Sequence, residues 1–166
     1  RALLESGVSA MTLRLFVLQA HYRKPLDFTP EALDAAATGW KGLNAALKLT
    51  ATTGPARQAA NEPQPESPQV GGFPWADARS RFAAALNDDL NTSAALAVLF
   101  ELAKPLRALA NRLERGDSSA AAEARAPDLV DQGQLLLELA GVLGLQSETE
   151  AKTSSTSPGP SDAEIQ

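Results

Sequence analysis

Residues 92–113 have the sequence TSAALAVLFELAKPLRALANRL, and this stretch decides the fold class of the chain. Apolar residues recur three and four positions apart along it, namely Leu96, Leu99, Ala103, Leu106, Ala110 and Leu113. Residues with this spacing share one face of an α-helix, and the alternation of threes and fours is typical of helices that pack in a bundle. Asn91, Thr92 or Ser93 is suited to cap the start of the helix. The stretch therefore predicts a helix that packs within a bundle.

The composition of the whole chain agrees with an all-α fold. Of the 166 residues, 44% are hydrophobic but only 5% are aromatic, because leucine and alanine supply much of the apolar content. Both are strong helix formers, whereas the β-branched and aromatic residues that favour strands are sparse. The length is sufficient for one domain with its own core. We therefore predict an all-α protein, an antiparallel helical bundle of about five helices.

Four further stretches have helical character. The first helix is predicted over residues 4–23, with enough apolar surface to be central and mostly buried. Thr29 caps a second helix over residues 30–49, in which proline occupies the first helical position. A third helix is expected from residue 74, and the last helix ends near Gly144.

The stretches between and after these helices have a different composition. Residues 50–73 are rich in Thr, Gly, Pro, Gln and Glu without periodicity, which predicts a long flexible linker. Residues 146–166 are rich in Ser, Thr, Glu and Pro, which predicts a disordered tail. The predicted helical regions are thus residues 1–49 and residues 74–145, with the second packing on the first. Because both termini have interrupted helical patterns, we expect a fragment of a longer protein.

Several classes of function are excluded by residue type and charge. The chain has no cysteine and one histidine, which excludes a cysteine-based zinc site, a disulfide framework and a thiol nucleophile. No apolar run reaches the roughly 18 residues of a membrane span, and residues 1–20 do not resemble a signal peptide, so no membrane association is predicted. The net charge of -5 argues against tight, non-specific nucleic-acid binding, but it is compatible with a local basic strip.

A basic and aromatic group lies at the predicted end of the first helix. It consists of His21, Tyr22, Arg23 and Lys24. Cations at a helix C-terminus interact favourably with the helix dipole, which is a purely structural explanation. A ring beside positive charge can also contact a phosphate backbone, and Arg14, two turns earlier, would extend that surface or pair with an acid.

Two further groups have both a structural and a functional interpretation. Asp88 and Asp89 are adjacent carboxylates that could bind Mg²⁺, but a turn in which Asp88, Asn91 and Thr92 act as structural caps is the favoured interpretation. The second group is Arg107, Arg112 and Arg115, of which the last two share a helical face. Its default interpretation is a solvated surface, and an RNA-facing strip is the alternative.

These motifs, in this order, resemble the C-terminal half of bacterial cysteinyl-tRNA synthetases. The resemblance covers roughly residues 5–145. It is based on Leu13-Arg14-Leu15-Phe16, on His21-Tyr22-Arg23-Lys24-Pro25-Leu26-Asp27-Phe28, on Thr29-Pro30-Glu31-Ala32-Leu33, on Phe82 to Leu86 with Asp88-Asp89-Leu90-Asn91-Thr92, and on the stretches 97–101 and 140–145. The His-Tyr-Arg and Asp-Asp-x-Asn-Thr motifs together are fairly specific. Met11-Thr12 departs from the usual Asp-Ala of the family at that place.

The resemblance implies a helical region that follows a Rossmann-like catalytic domain and includes an anticodon-binding module of the DALR type. Residues 1–49 would then be a stem-contact region, residues 74–145 the anticodon-side bundle, and residues 146–166 a linker toward a small C-terminal domain. The parent enzyme would activate cysteine with ATP and attach it to tRNA(Cys), as a cytoplasmic monomer. ATP and zinc would bind in the catalytic domain, so this chain would hold no metal, no cofactor and no catalytic residue.

The resemblance also bears on individual residues. It favours a tRNA-binding or domain-junction role for His21, Tyr22 and Arg23, and the further candidates for this role are Arg14, Lys24, Arg112 and Arg115. Two alternatives stay open at this point. The acidic balance and the heptad-like spacing of residues 96–113 also fit a helical protein-interaction module with no RNA role. The same architecture could belong to a related ligase, such as mycothiol ligase.

Overall fold

The computed structural model describes residues 8–53 and 75–148, and the helices named here belong to those two ranges. They are α1 (Ala10–Gln19), α2 (Pro30–Thr53), α3 (Ala78–Asn87), α4 (Thr92–Glu114), α5 (Ser119–Glu123) and α6 (Pro127–Val142). The described ranges contain no strand, so the prediction of an all-α bundle is confirmed.

Helix α4 is the centre of the bundle, because it packs against every other described helix. Its inner side buries nine residues, namely Ala95, Leu96, Val98, Leu99, Leu102, Ala103, Leu106, Leu109 and Ala110. The prediction that the first helix is central was therefore wrong. Helix α1 is only ten residues long and buries Thr12, Leu15 and Phe16. Its remaining apolar residues extend beyond a single face, and Val17 is exposed.

The contacts between helices define their relative directions. Along α2, Gly39 lies beside Phe100 and Gly42 beside Arg107, so α2 and α4 run in the same direction. Helix α6 runs against α2, since Gly133 meets Thr50 while the later Glu148 meets Asn44. Helix α6 is thus antiparallel to both α2 and α4, in agreement with the predicted antiparallel bundle.

Helices α2 and α6 approach most closely at Gly133. A Cβ atom added at Gly133 would lie 2.6 Å from Thr50 Oγ1 and 2.7 Å from Thr50 Cγ2, so the position has no room for a side chain. Thr50 is fully buried and donates its hydroxyl to the carbonyl of Ala46. Beside Gly133, the buried Gln132 donates its Nε2 to the Leu102 carbonyl at 2.8 Å. The close contact at Gly133 therefore joins α6 to α2, whereas the buried hydrogen bond of Gln132 joins α6 to α4.

Helix α2 is longer than the sequence predicted. The linker was placed from residue 50, but α2 continues to Thr53. The threonines counted as linker composition donate their hydroxyls to helical carbonyls: Thr52 and Thr53 both bind the carbonyl of Leu49. Burial of Leu49 and Thr50 holds this turn in place. The rest of the predicted linker, residues 54–73, lies outside the described residues.

The third helix begins later than expected. Residues 75–77 form a turn closed by a hydrogen bond from the Ala78 N–H to the Trp75 carbonyl, and α3 starts at Ala78. Arg79 on α3 pairs with Glu138 on α6. Trp75 itself packs against the core, so the turn is attached to the bundle at its start.

The start of the predicted disordered tail is ordered against α2. The Trp40 indole donates to Glu148 Oε2 at 2.9 Å. Asn44 donates to the Glu148 carbonyl at 3.1 Å and accepts from the Glu148 N–H at 2.9 Å. Composition could not predict this, because the binding groups lie more than 100 positions earlier in the sequence. Residues 149–166 lie outside the described residues. As predicted, the last helix ends just before Gly144, which has a φ of 67°.

In the two described ranges, none of the helices is both long and apolar enough to cross a bilayer.

The tight crossing at Gly133 predicts an unusual response to alanine. Although alanine favours helices, Gly133→Ala should lower the free energy of unfolding by about 1–3 kcal/mol, because the new methyl group overpacks against Thr50. Gly141 is the matched control, since a Cβ there meets nothing within 4 Å. Gly141→Ala should raise the free energy of unfolding by roughly 0.5–1 kcal/mol. Urea denaturation measures both, and equal shifts of the two midpoints would contradict the crossing geometry.

The turn between α4 and α5 predicts a specific response to pH. The Ser119 hydroxyl and the Arg112 guanidinium bind the carboxylate of Asp117 and lower its pKa to about 2. Stabilisation by this carboxylate is therefore present above its ordinary pKa and is lost as the pH falls through about 2. An NMR titration of the Asp117 carboxyl carbon measures the value directly. Ser119→Ala should raise it toward the ordinary range, and an ordinary pKa in the unmodified chain would contradict the network.

Candidate functional site

The basic and aromatic group at residues 21–24 lies beyond the helix, not at its last turn. Helix α1 ends at Gln19, and Ala20 is already extended, with a ψ of 142°. Residues 21–24 form a turn closed by the Lys24 N–H and the His21 carbonyl at 2.8 Å. Pro25 disfavours helical geometry at Lys24. The turn instead pairs the Lys24 N–H with the His21 carbonyl, just before the proline. The helix-dipole explanation for these cations is therefore wrong.

The turn instead brings three side chains onto one carboxylate, that of Asp89. Tyr22 donates its hydroxyl to Asp89 Oδ1 at 2.7 Å. Arg23 Nη1 lies 3.1 Å from Asp89 Oδ2, and His21 Nε2 lies 3.8 Å from the same oxygen. We call these four residues the Asp89 cluster. It joins two motifs that are separated by 67 positions in the sequence.

Contacts within the Asp89 cluster fix the relative positions of its side chains. The rings of His21 and Tyr22 stack with centroids 5.0 Å apart and an interplanar angle of 21°. Arg23 donates its Nε to the Tyr22 hydroxyl at 2.9 Å, and its guanidinium carbon lies 5.3 Å from the centre of the Tyr22 ring. The hydrogen bond to Asp89 raises the pKa of Tyr22, because the phenolate would lose that bond and face a second negative charge.

The backbone that carries Asp89 is unusual. Asp89 and Leu90 have φ values of 51° and 53°, in the left-handed region that costs an ordinary residue about 1–2 kcal/mol. The Leu90 and Asn91 N–H groups bind the carbonyls of Leu86 and Ala85, which satisfies the end of α3. The turn thereby reverses the chain and directs the Asp89 carboxylate toward residues 21–23.

The remaining polar residues of this turn connect helix ends. Asn91 Oδ1 accepts from the Ala94 N–H at 3.1 Å and caps α4. Thr92 donates its hydroxyl to the Leu18 carbonyl at 2.8 Å, so it serves the end of α1 although it belongs to α4. Thr29 Oγ1 accepts from the Ala32 N–H at 3.2 Å at the start of α2. In the described residues Asp88 binds only through its backbone, since its N–H donates to the Ala84 carbonyl and its carbonyl accepts from the Asn91 N–H, so it does not act as a side-chain cap.

The two adjacent carboxylates, Asp88 and Asp89, have different surroundings. Asp89 is occupied by the tyrosine hydroxyl and the arginine, whereas the side chain of Asp88 is exposed. No group of three or more potential metal ligands comes together within residues 8–53 and 75–148. The Asp89 cluster is therefore a contact between residues 21–23 and the turn before α4, and it leaves the Arg23 guanidinium largely exposed.

The other predicted basic residues have different surroundings. Arg14 donates to the Gly144 carbonyl and links α1 to the end of α6. Arg112 binds Asp117 at 2.8 Å and Glu123 at 2.5 Å, so its charge is neutralised. Within the described residues, Arg115 and Lys24 make no ion pair. Arg112 thus has acidic partners, whereas Arg115, at the C-terminal cap of α4, has none among the described residues.

Sequence reasoning missed the residues on which two of these arrangements depend. The pairing of Asp89 with Tyr22 and Arg23 was not predicted, although both motifs had been singled out. The presence of both motifs in one sequence was the signal that could have indicated this pairing. Lys104, which lies one helical turn before Arg107 on α4, was not among the residues predicted from the sequence.

Comparison with known proteins finds one matching domain and several similar proteins. Residues 81–147 match the model of the DALR domain. Over 161 residues the chain is 58% identical to a cysteine–tRNA ligase of Prochlorococcus marinus (strain MIT 9303) and 60% identical to that of Parasynechococcus marenigrum (strain WH8102). Each alignment covers 92% of this chain and 32% of the relative.

A more distant relative gives the same result. The cysteine–tRNA ligase of Prochlorococcus marinus (strain NATL2A) is 43% identical over 152 residues, which cover 88% of this chain and 30% of the relative. The chain therefore spans about a third of the length of the relatives that it matches, and the resemblance noted from the sequence motifs is confirmed. Residues 81–147 are thus similar to the DALR domain, in a chain that is similar to about a third of the length of known cysteine–tRNA ligases.

Proposed function

We propose that this chain is the tRNA-binding helical region of a cysteine–tRNA ligase. The observation that carries the proposal is an identity of 58–60% over 92% of the chain to proteins of that name. The match extends across both described ranges of the chain. It therefore supports a common role for α1, α2 and the DALR domain, and it does not favour an interaction module without an RNA role.

The whole protein would activate cysteine with ATP and attach it to tRNA(Cys), as a cytoplasmic monomer. ATP and zinc would bind in a catalytic domain outside this chain. The residues of this chain would contribute tRNA affinity and positioning, and none of them would take part in the chemical step. In this division of roles, residues 1–49 would contact the stem side of the tRNA and the DALR domain the anticodon side.

The Asp89 cluster would hold these two parts together. Tyr22 and Arg23 precede α2, whereas Asp89 lies at the start of the central helix, so their contacts join both regions. The same two segments expose apolar side chains, with Leu26 41%, Phe28 48% and Leu90 60% accessible. Exposed apolar groups beside exposed cations suit a domain junction that adjoins RNA. We therefore assign His21, Tyr22 and Arg23 to bracing this junction, with Lys24 as the free cation beside it.

Aminoacylation tests the proposed activity. The full-length protein that contains this chain should attach cysteine to tRNA(Cys) in the presence of ATP. Its tRNA affinity should fall with salt, with a log-log slope of roughly 0.7–0.9 for each phosphate neutralised. Filter binding over a range of salt concentrations measures the slope, and a tRNA for another amino acid is the control. Binding that does not respond to salt, or a failure to transfer cysteine, would contradict the proposal.

The Asp89 cluster is tested by titration of Tyr22, the one tyrosine in the 166 residues. The ultraviolet absorbance of the phenolate therefore reports on this side chain alone. The pKa of Tyr22 should be above its ordinary value of 10.0, and Asp89→Asn should lower it by removing the neighbouring charge. Asparagine tolerates the left-handed backbone, so the turn should be preserved.

Asp88→Asn is the matched control for this titration. It removes an adjacent carboxylate that makes no hydrogen bond to Tyr22, so it should leave the pKa nearly unchanged. Equal effects of the two substitutions would mean that general surface charge, and not the Asp89 contact, perturbs the tyrosine.

A further inference from the structure

The side of α4 that faces α2 carries cations without acidic partners. Lys104 and Arg107 are exposed, are three residues apart and therefore share a helical face. Neither makes a hydrogen bond or an ion pair with any described residue. This is unlike Arg79, Arg81 and Arg112, each of which is bound to at least one carboxylate.

Gly42 on α2 allows Arg107 to lie across the helix. A Cβ atom at Gly42 would come within 2.9 Å of Arg107 Cδ and 3.0 Å of Arg107 Nη1. The side chain of Arg107 therefore rests on the backbone of the neighbouring helix, where a larger residue would displace it. Because the arginine stem is already supported, less conformational entropy would be lost when its guanidinium binds an anion.

The groove between α2 and α4 is shallow. Its cavity has a volume of about 150 Å³ and is lined by Gly42, Leu43, Phe100, Ala103, Lys104 and Arg107. Ligand pockets usually have volumes of about 300–1,000 Å³, so this groove is too small to enclose a nucleotide or cofactor. It is better suited to a group that passes over the surface and presents charged oxygens to the two cations.

The arrangement of charges along α4 favours an extended polyanion. On the side toward Lys104, Glu101 is already bound by Arg81 at 2.7 Å. Toward the C-terminal end of α4, Glu114 is followed by Arg115 in the sequence. Between these two ends, Lys104 and Arg107 carry positive charge without an acidic partner among the described residues. A guanidinium and an ammonium one helical turn apart match two oxygens of a phosphate, or two neighbouring phosphates, of a nucleic-acid backbone.

We infer that Lys104 and Arg107, with Arg107 positioned over Gly42, bind the phosphodiester backbone of the tRNA. This inference rests on the proposed function and makes it more specific. The main backbone contact of the described residues is then the groove between α2 and α4, and not the turn at residues 21–24. Contacts of this kind position an RNA without reading its sequence.

The experiment measures tRNA(Cys) binding to the full-length protein at several salt concentrations. Lys104→Ala combined with Arg107→Ala should weaken binding about tenfold, the loss expected for one or two charge-assisted hydrogen bonds. It should also reduce the log-log salt slope by about 1 to 2. Lys41→Ala is the matched control, because it removes an exposed cation adjacent to Gly42 that does not line the groove.

Gly42→Ala separates the position of Arg107 from its charge. It leaves the net charge unchanged and improves helix propensity, but its methyl group displaces the arginine side chain. We expect several-fold weaker tRNA binding with unchanged or higher thermal stability. Gly141→Ala, which gains the same propensity away from the groove, should leave binding unchanged.

The outcomes distinguish this inference from the proposed function. If the unmodified protein binds tRNA with a salt-dependent affinity and the double variant retains both affinity and slope, the groove assignment is overturned while the proposed function stands. Equal losses in the double variant and Lys41→Ala would also overturn it, because they would indicate a diffuse charge effect. If the unmodified protein does not bind tRNA, the proposed function itself fails.

Discussion

The structure depends on the burial of one helix. Helix α4 places nine apolar residues in the core, and these cover more than a single narrow stripe. A helix with so wide an apolar surface needs neighbours on several sides, and five other helices provide them. Each cation on α4 is therefore confined to the part of its surface that the neighbours leave open. The positions of Lys104, Arg107 and Arg112 are consequences of how the core is covered.

The cations discussed on α3 and α4 fall into two groups. Arg79, Arg81 and Arg112 pair with carboxylates on neighbouring helices or turns, and such exposed pairs contribute little to stability individually. Among residues 8–53 and 75–148, Lys104 and Arg107 have no such partners. A net charge of -5 is thus compatible with a positive groove, because part of the acidic content is used to neutralise other cations. The sign of the total charge does not describe the surface that an RNA would meet.

The sequence allowed the helical fold and several helix ends to be predicted, because periodicity and capping are local. The break between α3 and α4 and the stop at Gly144 were of this kind. The sequence did not allow the central helix of the bundle to be recognised. The long apolar pattern of residues 4–23 suggested α1, but the burial of a helix depends on how many other helices pack around it. The end of α1 was placed too late for a related reason, because a carboxylate 67 positions away and the Thr92 hydroxyl provide the alternative contacts.

For the site, the sequence supplied the motifs but not their pairing. The sequence singled out His21, Tyr22 and Arg23 as a basic and aromatic group, yet their common partner among the described residues is Asp89, an acid assigned to a separate turn. The grouping of Arg112 with Arg115 followed helical spacing, which does not account for Asp117 and Glu123 in the following turn. Which cations remain free depends on contacts between helices, and helical spacing alone does not reveal them.

At the crossing of α2 and α6, positions 50 and 133 are distant in the sequence but fill one common volume. Thr50 and Gly133 share one space, so a larger residue at 133 can be accommodated only where residue 50 is smaller. During divergence the two positions would therefore change together, and a substitution that is harmful alone would become neutral in the company of the other. The residue that one helix tolerates at this crossing thus depends on the residue of the other helix. Sequences of the same fold should therefore show positions 50 and 133 as covarying sites.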